Sequence, residues 1–239
     1  MNKSFLSAIG AACALSFSLS ASAVPIEFDF SGTPTGGIGT TTTSGGVTAT
    51  SWIWDGSTYT ATGTDLYRRN SSNDHGIGVC STGEDCSTGD FNELSNRINY
   101  ELIRLDKGTA NYWDQLWISS LDSTEAGTLY WGNDSDIATL LTGSSYTFNA
   151  TNNNADIERD LLDPTDVDGT GLFDAGFFAN AQYVLFTPGA TINQACNPDC
   201  DNDYLVWKGA TVPAPAVLGL MSIGLLGVGA ATKRRNRKH

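Results

Sequence analysis

Polar and apolar residues alternate with a period of two along most of this chain. Ile26, Phe28 and Phe30 are separated by acidic residues, and Trp52 and Trp54 recur on one side of the segment 47–54. Tyr100, Leu102 and Arg104 alternate with Glu101, Ile103 and Leu105, and Tyr146 and Phe148 repeat the spacing. Successive side chains of a strand point to opposite faces, so this alternation predicts strands. Between them lie runs of Gly, Ser, Thr, Asn and Asp, such as "SGTPTGGIGTTTTSGG" and "ATNNNAD", which supply turn chemistry. Thr40 to Thr43 and the flanking glycines predict a hairpin connection between a strand at 26–30 and one at 47–54. Helical periodicity is confined to "ADIERDLLDP", which predicts one or two turns ahead of Pro164. The expected fold class is all-β: a single antiparallel β-sandwich, the jelly-roll among its forms, with long polar loops at its ends.

Both ends depart from this pattern. Met1-Asn2-Lys3, the apolar run from Phe5 to Leu19 and Ala21-Ser22-Ala23 are the three parts of a secretory signal peptide. The expected cleavage by signal peptidase follows Ala23, with Ala21 and Ala23 as the small residues of the site. An N-terminal membrane anchor is the alternative, and the run is short for one. At the other end, two prolines lead into residues 216–232, which carry no charge, and then into Lys233, Arg234, Arg235, Arg237 and Lys238. As a helix the uncharged stretch spans roughly 25 Å, just enough to cross a membrane once. The basic cluster stays cytoplasmic under the positive-inside rule, which leaves the body of the chain outside the inner membrane. The expected organisation is a signal peptide at 1–23, a β-sandwich domain at 24–211 and a tail at 212–239.

Removing both ends changes the charge. The body holds all 26 Asp and Glu but only seven of the 13 Lys and Arg, a net charge of −19. A field of that sign repels phosphate backbones, which excludes nucleic acid as a partner, and it keeps an exported protein soluble. Cys13 leaves with the signal, so four cysteines remain, Cys80, Cys86, Cys196 and Cys200, an even number suited to an oxidising compartment. Three pairings are open. The local pairs Cys80 with Cys86 and Cys196 with Cys200 are favoured, because each already sits in one tight loop. A zinc site is the alternative, against which neither spacing is C-x-x-C and His75 is the body's sole histidine.

Candidate chemistry is sparse. "DPTDVDGTGLFD" places Asp163, Asp166, Asp168 and Asp174 around Gly169, and "CNPDCDND" places Asp199, Asp201 and Asp203 on alternate positions. Such carboxylates suit Ca²⁺, with Asp163, Asp166 and Asp168 as the first choice of metal ligands, whereas solvated turn acids are the competing reading. The first-position carboxylate of an EF-hand pattern falls on Pro164, so this is not an EF-hand. No other cofactor is implied. Nucleophile elbow, H-E-x-x-H, P-loop and Cys-His pair are all missing from the sequence, so no catalytic residue is assigned and no enzyme is expected. A matrix glycoside hydrolase, the remaining enzymatic route, needs two facing carboxylates. Trp52, Trp54, Trp113, Trp117 and Trp131 offer flat faces to sugar rings, which makes a carbohydrate-binding module acting on exopolysaccharide the alternative function. Core is the commoner fate of an indole at strand spacing.

Two resemblances set the context. Val212, Pro213, Ala214 and Pro215, followed by a short Gly- and Leu-rich span and a terminal Arg-rich cluster, resemble the PEP-CTERM sorting signal of Gram-negative bacteria; Ala214 stands where that family has Glu. The resemblance implies recognition by an exosortase, a membrane-embedded cysteine transpeptidase or protease. That enzyme removes the tail and passes the body to the cell surface or the exopolysaccharide matrix. Two prolines fit that role, since they hold the backbone extended. More loosely, "GIGVCSTGEDCSTGDFNELSNRINYELIRLDKG", "LYWGNDSDIATLL", "AQYVLFTPG" and "NDYLVWKGATVPAP" are similar to the ordered blocks of exosortase-dependent surface proteins. Gly76, Gly78, Val79, Glu93, Asn96, Asp134, Ser135 and Asp136 carry that match, which implies a turn and a strand after Trp131 and brings no chemistry with it. The function expected is that of an exported cell-surface or biofilm-matrix protein, transiently membrane-anchored, with a structural or adhesive role.

Overall fold

Residues 47–54, Val-Thr-Ala-Thr-Ser-Trp-Ile-Trp, alternate buried and half-buried from end to end, the pattern of a strand with one face on a core. The structure is a computed structural model that describes residues 24–71, 74–87, 93–121, 125–149, 157–158, 169–174, 178–189 and 203–214. In chain order the strands are β1 (Ile26–Asp29), β2 (Gly36–Gly37), β3 (Thr41–Ser44), β4 (Val47–Trp54), β5 (Tyr59–Thr60), β6 (Thr64–Asn70), β7 (His75–Ser81) and β8 (Tyr100–Asp106). They continue with β9 (Asn111–Leu121), β10 (Ala126–Gly132), β11 (Ser144–Asn149), β12 (Ile157–Glu158), β13 (Gly169–Asp174), β14 (Tyr183–Pro188) and β15 (Leu205–Pro213), with the short helix α1 (Ile137–Leu141) between β10 and β11.

These strands form two antiparallel sheets. One runs β12-β13-β9-β15-β7-β6-β2, with β1 also paired to β15; the other runs β11-β10-β14-β8-β4-β3, with β5 also paired to β4. Both contribute inward side chains to one core: Leu66, Ile77, Leu116 and Ile118 from the first, Val47, Ile103, Leu129 and Phe186 from the second. The arrangement is all-β and sandwich-like, as the alternation predicts. A compact unit covers Pro25–Ala214.

Three local expectations change. The Thr-rich stretch is not a bare connection, since Thr41–Ser44 is itself β3, joined to β4 through Gly45 and Gly46. Both glycines have positive φ, 52° and 79°, the requirement of the two-residue turn that matches strand twist. β1 pairs with β15 in the other sheet rather than with β4. After Trp131 the chain enters α1 instead of a strand, because Asp136 accepts the Thr139 N–H at 2.8 Å and caps a helix; the Thr139 backbone bond, helped by the Thr139 hydroxyl, holds the Asp136 carboxyl below the usual range. Within "ADIERDLLDP", Ile157–Glu158 is strand, not helix.

The pairing of β9 with β15 carries two bulges. The register jumps between Val206 and Lys208, which leaves Trp207 as an extra residue on β15, and again between Ala210 and Thr211, which leaves Asp114 extra on β9. Each insertion resets which side chains point inward. Gly76 of β7 sits against the first bulge: a Cβ there would overlap the Val206 carbonyl and the Trp207 Cα, and its φ of 127° suits glycine alone.

Cys80, at the end of β7, is disulfide-bonded to Cys86, with Cα atoms 5.8 Å apart. Within that loop the Ser81 N–H donates to Glu84 Oε2 at 2.7 Å, and the Glu84 N–H returns a bond to the Ser81 carbonyl at 3.1 Å. β15 includes Val212 and Pro213, which face Tyr112 and Asn111 of β9, so the last strand carries two residues that the sequence pattern assigns to the tail. Proline is tolerated there because the strand ends with it. Ala21, Ala23, Asp163, Asp166, Asp168, Asp199, Asp201, Cys196, Cys200 and everything from Pro215 on, including the 216–232 span and the basic cluster, lie outside the described residues. Among the described residues no helix is long and apolar enough to cross a membrane.

Two outcomes follow for stability. Replacing Cys80 and Cys86 together by Ser is expected to cost about 2 kcal/mol, the chain-entropy value for so short a loop, measured by urea unfolding. Gly76→Ala is expected to cost more than an ordinary surface change, about 1–3 kcal/mol, by the same measurement.

Candidate functional site

The five indoles singled out by spacing separate into three environments. Trp113 is 2% exposed and packs edge-on to Phe28 in the main core, at 6.2 Å. Trp131 is half-buried against Phe178. Trp52 and Trp54 share a face, as their alternation requires, but that face is the outer side of the second sheet. There α1 lays Ile137, Leu140 and Leu141 over Tyr100, Leu102, Tyr130 and Leu185, and the two indoles join the rim. Arg104 fixes this patch: its guanidinium lies 5.4 Å from the Trp52 ring and 5.2 Å from Tyr183, and it donates to the Ser135 carbonyl. Trp113 and Trp117, four residues apart, do not share a face. The extra residue Asp114 turns Trp113 inward, while Trp117 stays on the outer side of the first sheet.

Trp117 has company there that its spacing does not announce. With Trp207 inserted as an extra residue, Trp207 and its neighbour Lys208 both point outward, where strict alternation sends one of them into the core. Lys208 Nζ then rests 4.0 Å from the Trp207 ring centre and 5.1 Å from that of Trp117. The two indoles meet edge to face at 6.4 Å, and His75 stacks on Trp207 at 5.1 Å. Trp207 is therefore a prop, with its ring engaged by both His75 and Lys208. Trp117 is the wall of an open groove of about 370 Å³, lined also by Glu27, Asp29, Gln115, Lys208 and Ala210.

Register explains the groove. Glu27, Ala210 and Gln115 form one row across β1, β15 and β9; Asp29, Lys208 and Trp117 form the next. Strands lie about 4.8 Å apart, so the small Ala210 leaves a floor between the longer side chains of β1 and β9. Asp29 Oδ1 is engaged by the N–H and hydroxyl of Ser31, at 2.7 and 2.6 Å. Glu27 and Gln115 are exposed. The sequence held a signal for this site in the adjacency of Trp207, Lys208 and Gly209, which breaks the alternation of β15.

Among the described residues carboxylates gather in two other places, both beneath the surface. Arg69 bridges Asp74 and Glu93, and the Ser120 hydroxyl lies 3.0 Å from both Asp74 Oδ1 and Glu93 Oε1. Ser120 reaches them from a left-handed backbone, φ 61°, at the end of β9. Glu101 is fully buried and accepts the Ser95 N–H at 2.9 Å. Burial, then the charge of Glu84, pushes its pKa well above the ordinary value. Glu84 Oε1 and Glu101 Oε1 are both buried without a protein hydrogen-bond partner.

The residues of the looser resemblance have structural duties. Glu93 pairs with Arg69, and Asp134 Oδ1 accepts the Asp136 N–H at 3.0 Å, shaping the entry to α1. Asp203, considered as a calcium ligand, is 5% exposed and ion-paired to Arg97 at 3.3 Å. Val212 and Pro213 belong to β15, and the Ala214 N–H donates to the Ala110 carbonyl at 2.9 Å. No protein-family model matches the chain, and no curated protein or solved structure matches it.

Glu101 gives a signed pH dependence. Because its folded pKa is raised, its contribution is fully present below the unfolded value near 4.5 and is lost as pH rises toward the folded one, since the unfolded chain releases the proton first. Glu101→Gln, which keeps the neutral shape, is expected to raise the melting temperature at pH 8 by a few degrees and to leave it unchanged near pH 4, read by calorimetry across that range.

Proposed function

We propose that this chain is an exported cell-surface or biofilm-matrix protein with a structural or adhesive role, handled as an exosortase substrate. In this reading residues 1–23 are a signal peptide removed by signal peptidase. The 216–232 span is a temporary membrane helix oriented by Lys233, Arg234, Arg235, Arg237 and Lys238. The sandwich is passed outward once the tail is cut.

The observation that carries the reading is the junction at Ala214. β15 remains paired to β9 through Pro213, and the Ala214 N–H makes one further bond to Ala110. Pro215 and the uncharged stretch follow at once. A cut after Ala214 therefore leaves the strand whole, and Pro213 and Pro215 keep the flanking backbone extended for an enzyme. The Cys80–Cys86 disulfide supports delivery to an oxidising compartment.

Intact mass of the extracellular product, from a Gram-negative host carrying an exosortase, tests this directly. The expected species begins at Val24 and ends between Ala214 and Ala216. A secreted product that retains residues beyond Ala216, or full-length chain in the cytosol with reduced thiols, refutes it.

A further inference from the structure

We infer that the groove on the outer face of the first sheet, between β1 and β9 across β15, is a binding site for a neutral glycan. The sandwich spends two bulges near one short stretch of β15 and β9, and their joint effect is to hold Trp117, Trp207 and Lys208 on a single outward face. The same bulges keep Lys208 and Asp114 out of the core, and they leave Trp117 and Trp207 half-buried outside both apolar clusters. What the arrangement achieves is a rigid indole wall. Trp207 braces Trp117 edge-on, and Lys208 sits over both rings.

Around that wall stand groups that seek hydroxyls. Glu27 and Asp29 offer carboxylate oxygens from β1, Gln115 offers both an acceptor and a donor from β9, and Lys208 offers N–H donors at the end of the groove. Glu27 and Gln115 bond to no other side chain among the described residues, so their hydrogen-bonding capacity is turned to the groove. A pyranose ring has the complementary surface, with an apolar C–H face for the indole and a girdle of hydroxyls for the acids and amide. A volume of about 370 Å³ is at the lower end of small-ligand sites, and an open groove lets a chain run past on both sides.

Charge narrows the class. Two carboxylates border the groove against one ammonium, which already faces two rings, and the body carries −19 overall. A uronate or sulfated sugar is repelled by that field, as is nucleic acid. An apolar ligand leaves Glu27, Asp29 and Gln115 desolvated without partners. Neutral sugars meet neither penalty. The site is independent of how the chain is delivered, so its failure and that of the export reading are told apart by different measurements.

The test uses the full chain purified in detergent and titrated calorimetrically with cellohexaose, laminarihexaose, mannohexaose and xylohexaose, with a polygalacturonate oligomer as the charged control. At least one neutral oligosaccharide is expected to bind, with indole fluorescence changing on addition. Trp117→Ala is expected to weaken binding by about tenfold or more, and the exposed pair Glu27→Ala with Gln115→Ala by several-fold. Trp54→Ala, on the other sheet, serves as the control with no effect. Because Trp117→Ala removes packing as well, the surface pair, judged at an unchanged melting temperature, keeps the test valid if that variant fails to fold. The inference is overturned if none of the neutral oligosaccharides binds at millimolar concentration, if only the polygalacturonate binds, or if binding survives in the surface pair.

Discussion

A strand offers its core every second residue, and the whole sandwich depends on how β9 and β15 reconcile that rule with their own sequences. These two strands form the longest pairing of the first sheet, and β15 also holds β7 and β1 along its other edge. Uninterrupted alternation from Val206 sends Lys208 inward, and from Leu116 it sends Asp114 inward. One extra residue on each strand puts Gly209, Trp113 and Thr211 in those inward places instead. Burying an unpaired ammonium or carboxylate costs several kcal/mol, so the local loss of ladder bonds is the smaller penalty. Gly76 follows from the same choice, because the displaced backbone of β15 leaves no room for a Cβ on β7.

Charge is distributed with equal economy. The body has seven cationic residues, and the six described ones are tied down. Arg68 donates to the Phe30 carbonyl at 3.0 Å, Arg69 holds Asp74 and Glu93, Arg97 holds Asp203, Arg104 lies over two rings, Lys107 donates to the Asn111 carbonyl and Lys208 covers two indoles. The described cations fasten loops and sheet faces.

Both sheets carry aromatic residues on their outer sides, and the two faces are finished differently. On the second sheet, α1 closes over the apolar side chains and reduces Trp52 and Trp54 to the edge of a small core. On the first, Trp117 and Trp207 are braced by each other, by His75 and by Lys208, and the space beside Trp117 stays open. The same residue type thus serves packing on one face and presentation on the other.

By itself the sequence determined the element type and the main strands, and it favoured the local cysteine pair. Alternation at 47–54 and 100–105 is long enough to fix both strand and facing, and a six-residue separation leaves Cys80 and Cys86 few places to be except together. Its two ends also supplied the export expectation, and the resemblance of the tail to a sorting signal supplied the sorting one. Tertiary structure decided what period and propensity are blind to. Bulges are settled by the partner strand, so the parting of Trp113 from Trp117 and the meeting of Trp117 with Trp207, ninety residues away in sequence, exist only once β9 and β15 pair. Likewise β1 joins β15 of the first sheet rather than β4 of the second, a choice between sheets that its own alternation does not make.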